Sequence, residues 1–311
     1  MKMKLTRNET RILKEIAKGS GRGIGDIVSS LSISNASFSR ILKSLKKNGL
    51  IESEKRGLSK RVFFSENKHS TLLKTLLTEF AHVKFEDFLS GSSLEILYFL
   101  SKSPLSRKEI VFHTGLSQKT VQTKLKTLRE FGIVFSERGF YRLNERFDLL
   151  KDFLLEFRRY LNLKVAQEFA KDATILWQRD EEFLIKTPEP KESKNFFLTS
   201  ITAFHKYGVQ LFLPEYYYYF YSQRKKKLNV EDAILHALLL DPTDTRVIMS
   251  VLLLLEKQKV NSDYLIKESD RYQLSTTVGN LINYIHAKGK AKPEHFPTWK
   301  EYEAKAKEYG L

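Results

Sequence analysis

The chain has 311 residues, 41% hydrophobic and 29% charged, with 53 Lys and Arg against 37 Asp and Glu for a formal net charge of +16. This composition excludes a collagen-like or wholly disordered chain, and the length suffices for two or three domains. With no cysteine there is no disulfide, cysteine nucleophile or thiolate metal site, and the longest apolar run, Val247 to Leu255, is too short to cross a bilayer. The N-terminus lacks the apolar core and cleavage site of an export signal, so a cytoplasmic protein without membrane contact is expected.

The charge is unevenly placed. Residues 1–66 carry a net +9, residues 67–146 a net +5 and residues 147–311 only +2. An excess confined to the first half is expected if that half meets a polyanion. From the N-terminus, Asn8 to Lys18 has Ile12, Leu13, Ile16 and Ala17 on one helical face. Gly19 to Gly23 breaks it, Ile24 to Leu31 makes a short second helix, and Ser34 is an N-cap for a third that runs to about Asn48. Gly49 can take the positive φ that ends a helix, and Leu50–Ser53 with Arg61–Phe64 read as a hairpin.

The same pattern returns 83 residues later. Placing Ser34 over Ser117 aligns Ile27 with Ile110, Leu42 with Leu125, Leu45 with Leu128, Gly49 with Gly132 and Ile51 with Val134, without a gap. The second copy uses Leu94–Leu100, Arg107–His113, a helix Gln118–Phe131 capped by Ser117, and a shorter hairpin around Glu137-Arg138-Gly139. Between the copies, Leu73, Leu76, Leu77 and Phe80 predict one connecting helix over 70–89.

Three helices followed by a hairpin, carried by LSISNASFSRILKSLKKNGLI and TGLSQKTVQTKLKTLREFGIV, resemble the winged helix-turn-helix domains of MarR- and ArsR-type transcription regulators, a kind common in archaea. The resemblance covers about residues 5–146 and implies binding of double-stranded DNA, with each third helix in the major groove and each wing on the backbone or minor groove. In the first copy the helical step turns Arg40, Lys43 and Lys47 outward, with Asn35, Ser37 and Ser39 beside them. Arg40 alone can fork onto guanine, and Lys55, Arg56, Lys60 and Arg61 charge the wing. In the second copy Lys119, Thr123 and Lys126 face outward, flanked by Thr120 and Gln122, with Arg138 and Arg142 in the wing. Glu130 there replaces a lysine, so weaker binding is expected.

The second half reads as α-rich. Phe147 to Ala170 is a long amphipathic helix, Thr174–Trp177 and Phe183–Lys186 a hairpin, Asn195–His205 a helix and Val209–Leu213 a short strand. Helices are expected at Val230–Leu240, Thr245–Gln258, Ser275–His286 and Trp299–Tyr309. Tyr216 to Tyr221, six aromatics before Arg224-Lys-Lys-Lys227, read either as a wall of the core or as a stacking platform for unpaired bases. Leu228 to Leu240 is similar to a stretch of AbiEi-type antitoxins, whose second domain opposes a nucleotidyltransferase; the duplicated winged helix departs from that pattern. No dinucleotide, P-loop, zinc-protease or serine-hydrolase motif occurs, the histidines lack ligand spacing, and no enzyme activity, cofactor or metal is expected.

The expected architecture is mainly α with small β-hairpins (α+β). It comprises winged helices at 1–68 and 91–146, a connecting helix at 69–90 and an α-rich interaction or sensing domain at 147–311. The expected function is sequence-specific duplex-DNA binding in transcription regulation. The alternative is an antitoxin-like autoregulator, and 147–311 leaves a homodimer or a partner protein open.

Overall fold

The computed structural model describes residues 3–19, 21–56, 59–209 and 215–311, and divides into two compact units, 1–162 and 163–311. Its architecture is mainly helical with three small antiparallel sheets.

Unit one starts with α1 (Arg7–Ala17), closed by a capping box in which Thr6 accepts from the Glu9 N–H and the Glu9 carboxylate accepts from the Thr6 N–H. Then come β1 (Arg22–Gly23), α2 (Ile24–Leu31), α3 (Asn35–Lys47), β2 (Ile51–Arg56) and β3 (Ser59–Phe64). After a connecting segment the order repeats as α6 (Ser93–Leu100), β4 (Leu105–Ser106), α7 (Arg107–Thr114), α8 (Gln118–Glu130), β5 (Val134–Glu137) and β6 (Phe140–Leu143). From β1 to the start of β2 every boundary recurs 83 residues on, and the sheets repeat as β1-β3-β2 and β4-β6-β5. The two-residue strands β1 and β4 were not expected, because so short a strand has no period. They exist through pairing with the wings, Arg22 with Val62 and Leu105 with Tyr141.

The connecting segment is two helices, α4 (Lys68–Glu79) and α5 (Phe85–Phe88), instead of the single one expected. On a continuous helix Phe85 and Leu89 would lie roughly 120–160° from Leu73, off the stripe that Leu73, Leu76 and Leu77 form. Ending α4 at Phe80 lets Phe85, Phe88 and Leu89 all be fully buried. The long helix α9 (Asp148–Phe169) follows a 3-10 turn at Glu145–Phe147. Its Leu150, Phe153, Leu154, Phe157 and Leu161 join one hydrophobic cluster with both winged helices. Unit one thus runs to Asn162 and takes in residues that the sequence pattern assigned to the C-terminal domain. A buried ion pair, Arg158 with Glu95 at 3.1 Å, ties α9 to α6.

Unit two is a sheet beside a helical bundle. The sheet has the order β7-β8-β10-β9, from β7 (Thr174–Arg179), β8 (Glu182–Thr187), β9 (Phe196–Leu198) and β10 (Tyr217–Tyr221). The helix expected over 195–205 is instead β9 followed by a 3-10 helix, Ser200–Tyr207. Phe196 stacks on Phe169 at 4.0 Å and opposes Tyr221, so non-local pairing decides the strand. The strand expected at Val209–Leu213 falls mostly on residues 210–214, outside the described residues. The tyrosine run is the wall of a core: β10 lies between β8 and β9, with Tyr219, Phe220 and Tyr221 buried.

Helices α10 (Val230–Leu240), α11 (Thr245–Lys257), α12 (Ser262–Ser269), α13 (Ser275–His286) and α14 (Trp299–Glu308) complete the unit; α12 was not expected. Asp244 caps α11 by accepting from the Arg246 N–H. His236 is fully buried between the Thr199 hydroxyl (2.7 Å) and the Tyr272 hydroxyl (3.0 Å). Burial pushes its pKa down to about 3, with Lys225 and Arg271 adding to the effect, so it is neutral at physiological pH. No helix among the described residues is long and apolar enough to cross a membrane.

Candidate nucleic-acid interface

The rotation of α3 is fixed at both ends and by its core. Ser34 Oγ accepts from the Ser37 N–H at 3.2 Å, and Phe38, Leu42 and Leu45 are buried. Asn35, Ser39, Arg40, Lys43 and Lys47 are consequently exposed and Ser37 is half-buried, the face expected from the helical step. The helix carries no carboxylate. Gly49, at φ 63°, turns the chain into the wing, and a Cβ there would clash with the hydroxyl end of the Tyr160 ring.

In the wing, Lys55 lies directly opposite Lys60, and Glu54 opposite Arg61. The pleat therefore splits the expected charges: Lys55 and Lys60 share one face and Arg61 the other. Two like charges in direct cross-strand register repel one another, a cost that an anion between them removes. Arg61 lays its stem along Gly21, where a Cβ would sit 3.6 Å from Cδ. Arg56 closes β2, and its side chain lies outside the described set. Among the described residues Arg40, Lys43, Lys55, Lys60 and Arg61 make no side-chain ion pair or hydrogen bond.

The second copy has the same frame and a different surface. Ser117 caps α8 through the Thr120 N–H (3.1 Å) and also meets the Thr120 hydroxyl at 2.8 Å, so half-buried Thr120 serves the cap. Lys119, Gln122, Thr123 and Lys126 are exposed, as expected. Thr123 donates its hydroxyl to the Lys119 carbonyl at 3.0 Å. Lys126 pairs with Glu130 at 3.9 Å and Arg142 with Glu145 at 3.5 Å, which halves the unpaired cations of this face. Arg138 is exposed in the turn at φ 48°. Phe112, Phe135 and Phe140 are also exposed, the first two standing where the first copy has Ser29 and Glu52. Sequence reasoning missed these; the pleat that buries Val134 was the available signal, since it turns Phe135 outward.

Among the described residues no group of three or more His, Asp or Glu side chains is placed to hold a metal ion. Compared with known families, residues 5–63 match the model of the MarR family, and residues 92–136 that of the ArsR family of bacterial regulatory proteins. Residues 193–311 match a family described as HVO_2833_C, C-terminal. Leu228 to Leu240, which carry the antitoxin likeness, lie inside that last match and mostly form the buried helix α10, and the matches do not favour the antitoxin reading. No curated protein and no solved structure matches the chain.

Proposed function

We propose that this DNA-binding regulator, with winged helices of MarR and ArsR type in tandem, binds duplex DNA sequence-specifically and engages it with both copies. The observation that carries the reading is the unpaired set Arg40, Lys43, Lys55, Lys60 and Arg61, displayed by one carboxylate-free helix and its wing. In the major groove Arg40 forks onto guanine O6 and N7, with Asn35, Ser37 and Ser39 small enough to allow close approach. Lys43, Lys47 and the wing cations Lys55, Arg56, Lys60 and Arg61 take phosphates and set the register. In the second copy Gln122 is suited to adenine, and Lys119, Thr120, Thr123, Lys126, Arg138 and Arg142 make a thinner contact set that positions more than it binds.

The test is a sequence selected from random duplexes, followed by two variants of the full chain. Arg40→Ala should cost about 1–3 kcal/mol on the selected duplex and relax preference at one base pair. Lys60→Ala should weaken selected and scrambled duplexes alike and lower the salt slope by about 0.9. Equal losses on both duplexes for Arg40→Ala would mean that α3 does not read bases.

A further inference from the structure

A cleft of about 1320 Å³ lies in unit two along β9, the short edge strand of its sheet. Three segments converge on it: 190–195 before β9, 205–207 at the end of the 3-10 helix, and 223–228 after β10. Together they bring seven Lys and Arg residues against one carboxylate, Glu192. The remainder of unit two holds 15 Lys and Arg against 19 Asp and Glu. The net positive charge of this unit therefore lies in one concave place, the remainder being net negative. We infer that this cleft binds an oligophosphorylated nucleotide.

The loops that carry the cations are held in place by contacts that leave most of the charges free. Ser222 Oγ accepts from the Arg224 and Lys225 N–H groups at 3.1 Å each, folding the basic run into a turn. Lys225 is engaged by Asp232 and, at 3.1 Å, by the Tyr264 hydroxyl, which pins that turn to the bundle. The Lys191 N–H donates to the Tyr219 hydroxyl at 2.8 Å and so anchors the opposite loop to the sheet. Lys194, Lys206 and Lys226 are exposed and, among the described residues, without a side-chain partner. Fixed loops bearing unpaired ammonium groups suit a compact polyanion, because the lysine stems and not the backbone remain to be ordered on binding.

Aromatic faces supply the second half of the recognition. Tyr217 and Tyr207, both half-buried, and Phe197 line the same cleft. Flat rings beside point charges match a ligand with a base at one end and phosphates at the other. His205 donates Nδ1–H to the Thr202 carbonyl at 2.8 Å, which leaves Nε2 as an acceptor for an N–H or O–H of the base or sugar. The volume exceeds the roughly 300–1,000 Å³ of drug-sized sites, enough for base, sugar and several phosphates. A long single strand would need cations continuing beyond the cleft, where the unit is net negative.

The inference goes beyond the winged-helix reading and does not depend on it. Calorimetry on the full chain uses ATP, inorganic tripolyphosphate and oligothymidine as probes, with duplex binding measured separately. ATP should bind more tightly than tripolyphosphate. Lys194→Ala/Lys206→Ala/Lys226→Ala should weaken ATP by at least about tenfold, with melting temperature and duplex affinity unchanged. Tyr217→Ala should weaken ATP more than tripolyphosphate. Absence of heat with ATP, or an unaltered ATP affinity in the triple variant, would overturn the site. Tighter binding of oligothymidine in competition with ATP would overturn the nucleotide in favour of a single strand.

Discussion

The two winged helices of unit one differ on the outside and agree within. Leu42 and Leu45 are buried as Leu125 and Leu128 are, and Gly49 and Gly132 sit at φ 63° and 66°. Asn67 and Asn144 each donate a side-chain amide to the carbonyl of that glycine, at 3.0 and 2.8 Å, although the second wing is shorter. Outside, Lys47 becomes Glu130, Ser29 becomes Phe112 and Glu52 becomes Phe135. Even the helix starts have parted: α2 has Gly23 at its N-cap and no side-chain cap, while α7 has a capping box from Ser106 and Glu109. Surface replacements typically change stability by less than about 0.5 kcal/mol, whereas core and positive-φ positions cost several times more. Duplication thus leaves the interior constrained and the outer face free to change.

The largest expected effect tests the surroundings of the two matched glycines, which Tyr160 of α9 makes unequal. Gly49→Ala meets both a left-handed backbone and the Tyr160 ring, whereas a Cβ at Gly132 has open space. The first substitution should cost about 2–5 kcal/mol through backbone strain plus overpacking, the second only about 1–2 kcal/mol through strain. Urea midpoints followed by far-UV circular dichroism measure both, and equal shifts would show that Tyr160 yields without cost.

Next in size is the contrast between faces. Lys43→Ala/Lys55→Ala/Lys60→Ala removes three unpaired cations and should lower the salt slope by about 2.7 and duplex affinity by about a hundredfold near physiological salt. Lys119→Ala/Lys126→Ala/Arg138→Ala should cost less, because Lys126 already pairs with Glu130. It should instead shorten the protected footprint on one side, since the shared core fixes where the second copy lands. Equal losses with an unchanged footprint would make the second copy a structural one.

Acid should separate the copies more gently. His69 donates to the Asn48 carbonyl at 3.0 Å and packs on Tyr160, and burial holds its pKa below the ordinary value, against the opposing pull of that carbonyl and Glu156. The unfolded chain therefore takes this proton first, so the contribution is complete above about pH 6.5 and is lost as pH falls, by at most about 1.4 kcal/mol per unit. His236 in unit two gives a slope of the same sign. The measurement is accordingly the difference between the parent and His69→Gln, which keeps an N–H donor for Asn48 but cannot titrate. A pH profile unchanged by that substitution would remove His69 from the account.

Much of this was legible in the chain because it rests on local signals. The caps Ser34 and Ser117, the stripes of α3 and α8, and the outward set from Asn35 to Lys47 follow from a period and a hydroxyl. What escaped was decided across the chain. The strands β1 and β4 exist only through their wings, and α4 stops at Phe80 because Phe85 and Leu89 lie off its stripe. Phe196 enters a strand because Tyr221 opposes it. On the site itself, composition gave four wing cations, but only the register put Lys55 opposite Lys60 and Arg61 opposite Glu54.

The smallest effect is the one for which the comparison demands equality. Ser34 accepts from the Ser37 N–H at 3.2 Å and Ser117 from the Thr120 N–H at 3.1 Å, at the same position of matched helices. Each cap satisfies one backbone donor that the helix leaves unpaired, so Ser34→Ala and Ser117→Ala should each cost about 1 kcal/mol. Ser117 also meets the Thr120 hydroxyl, but that group is part exposed, and water replaces the contact. The two losses should therefore agree within about 0.5 kcal/mol and add in the double variant, because distant sites without shared partners act independently. A Ser117→Ala loss far below that of Ser34→Ala would mean that the constraint on the third helix has relaxed in the second copy along with its surface.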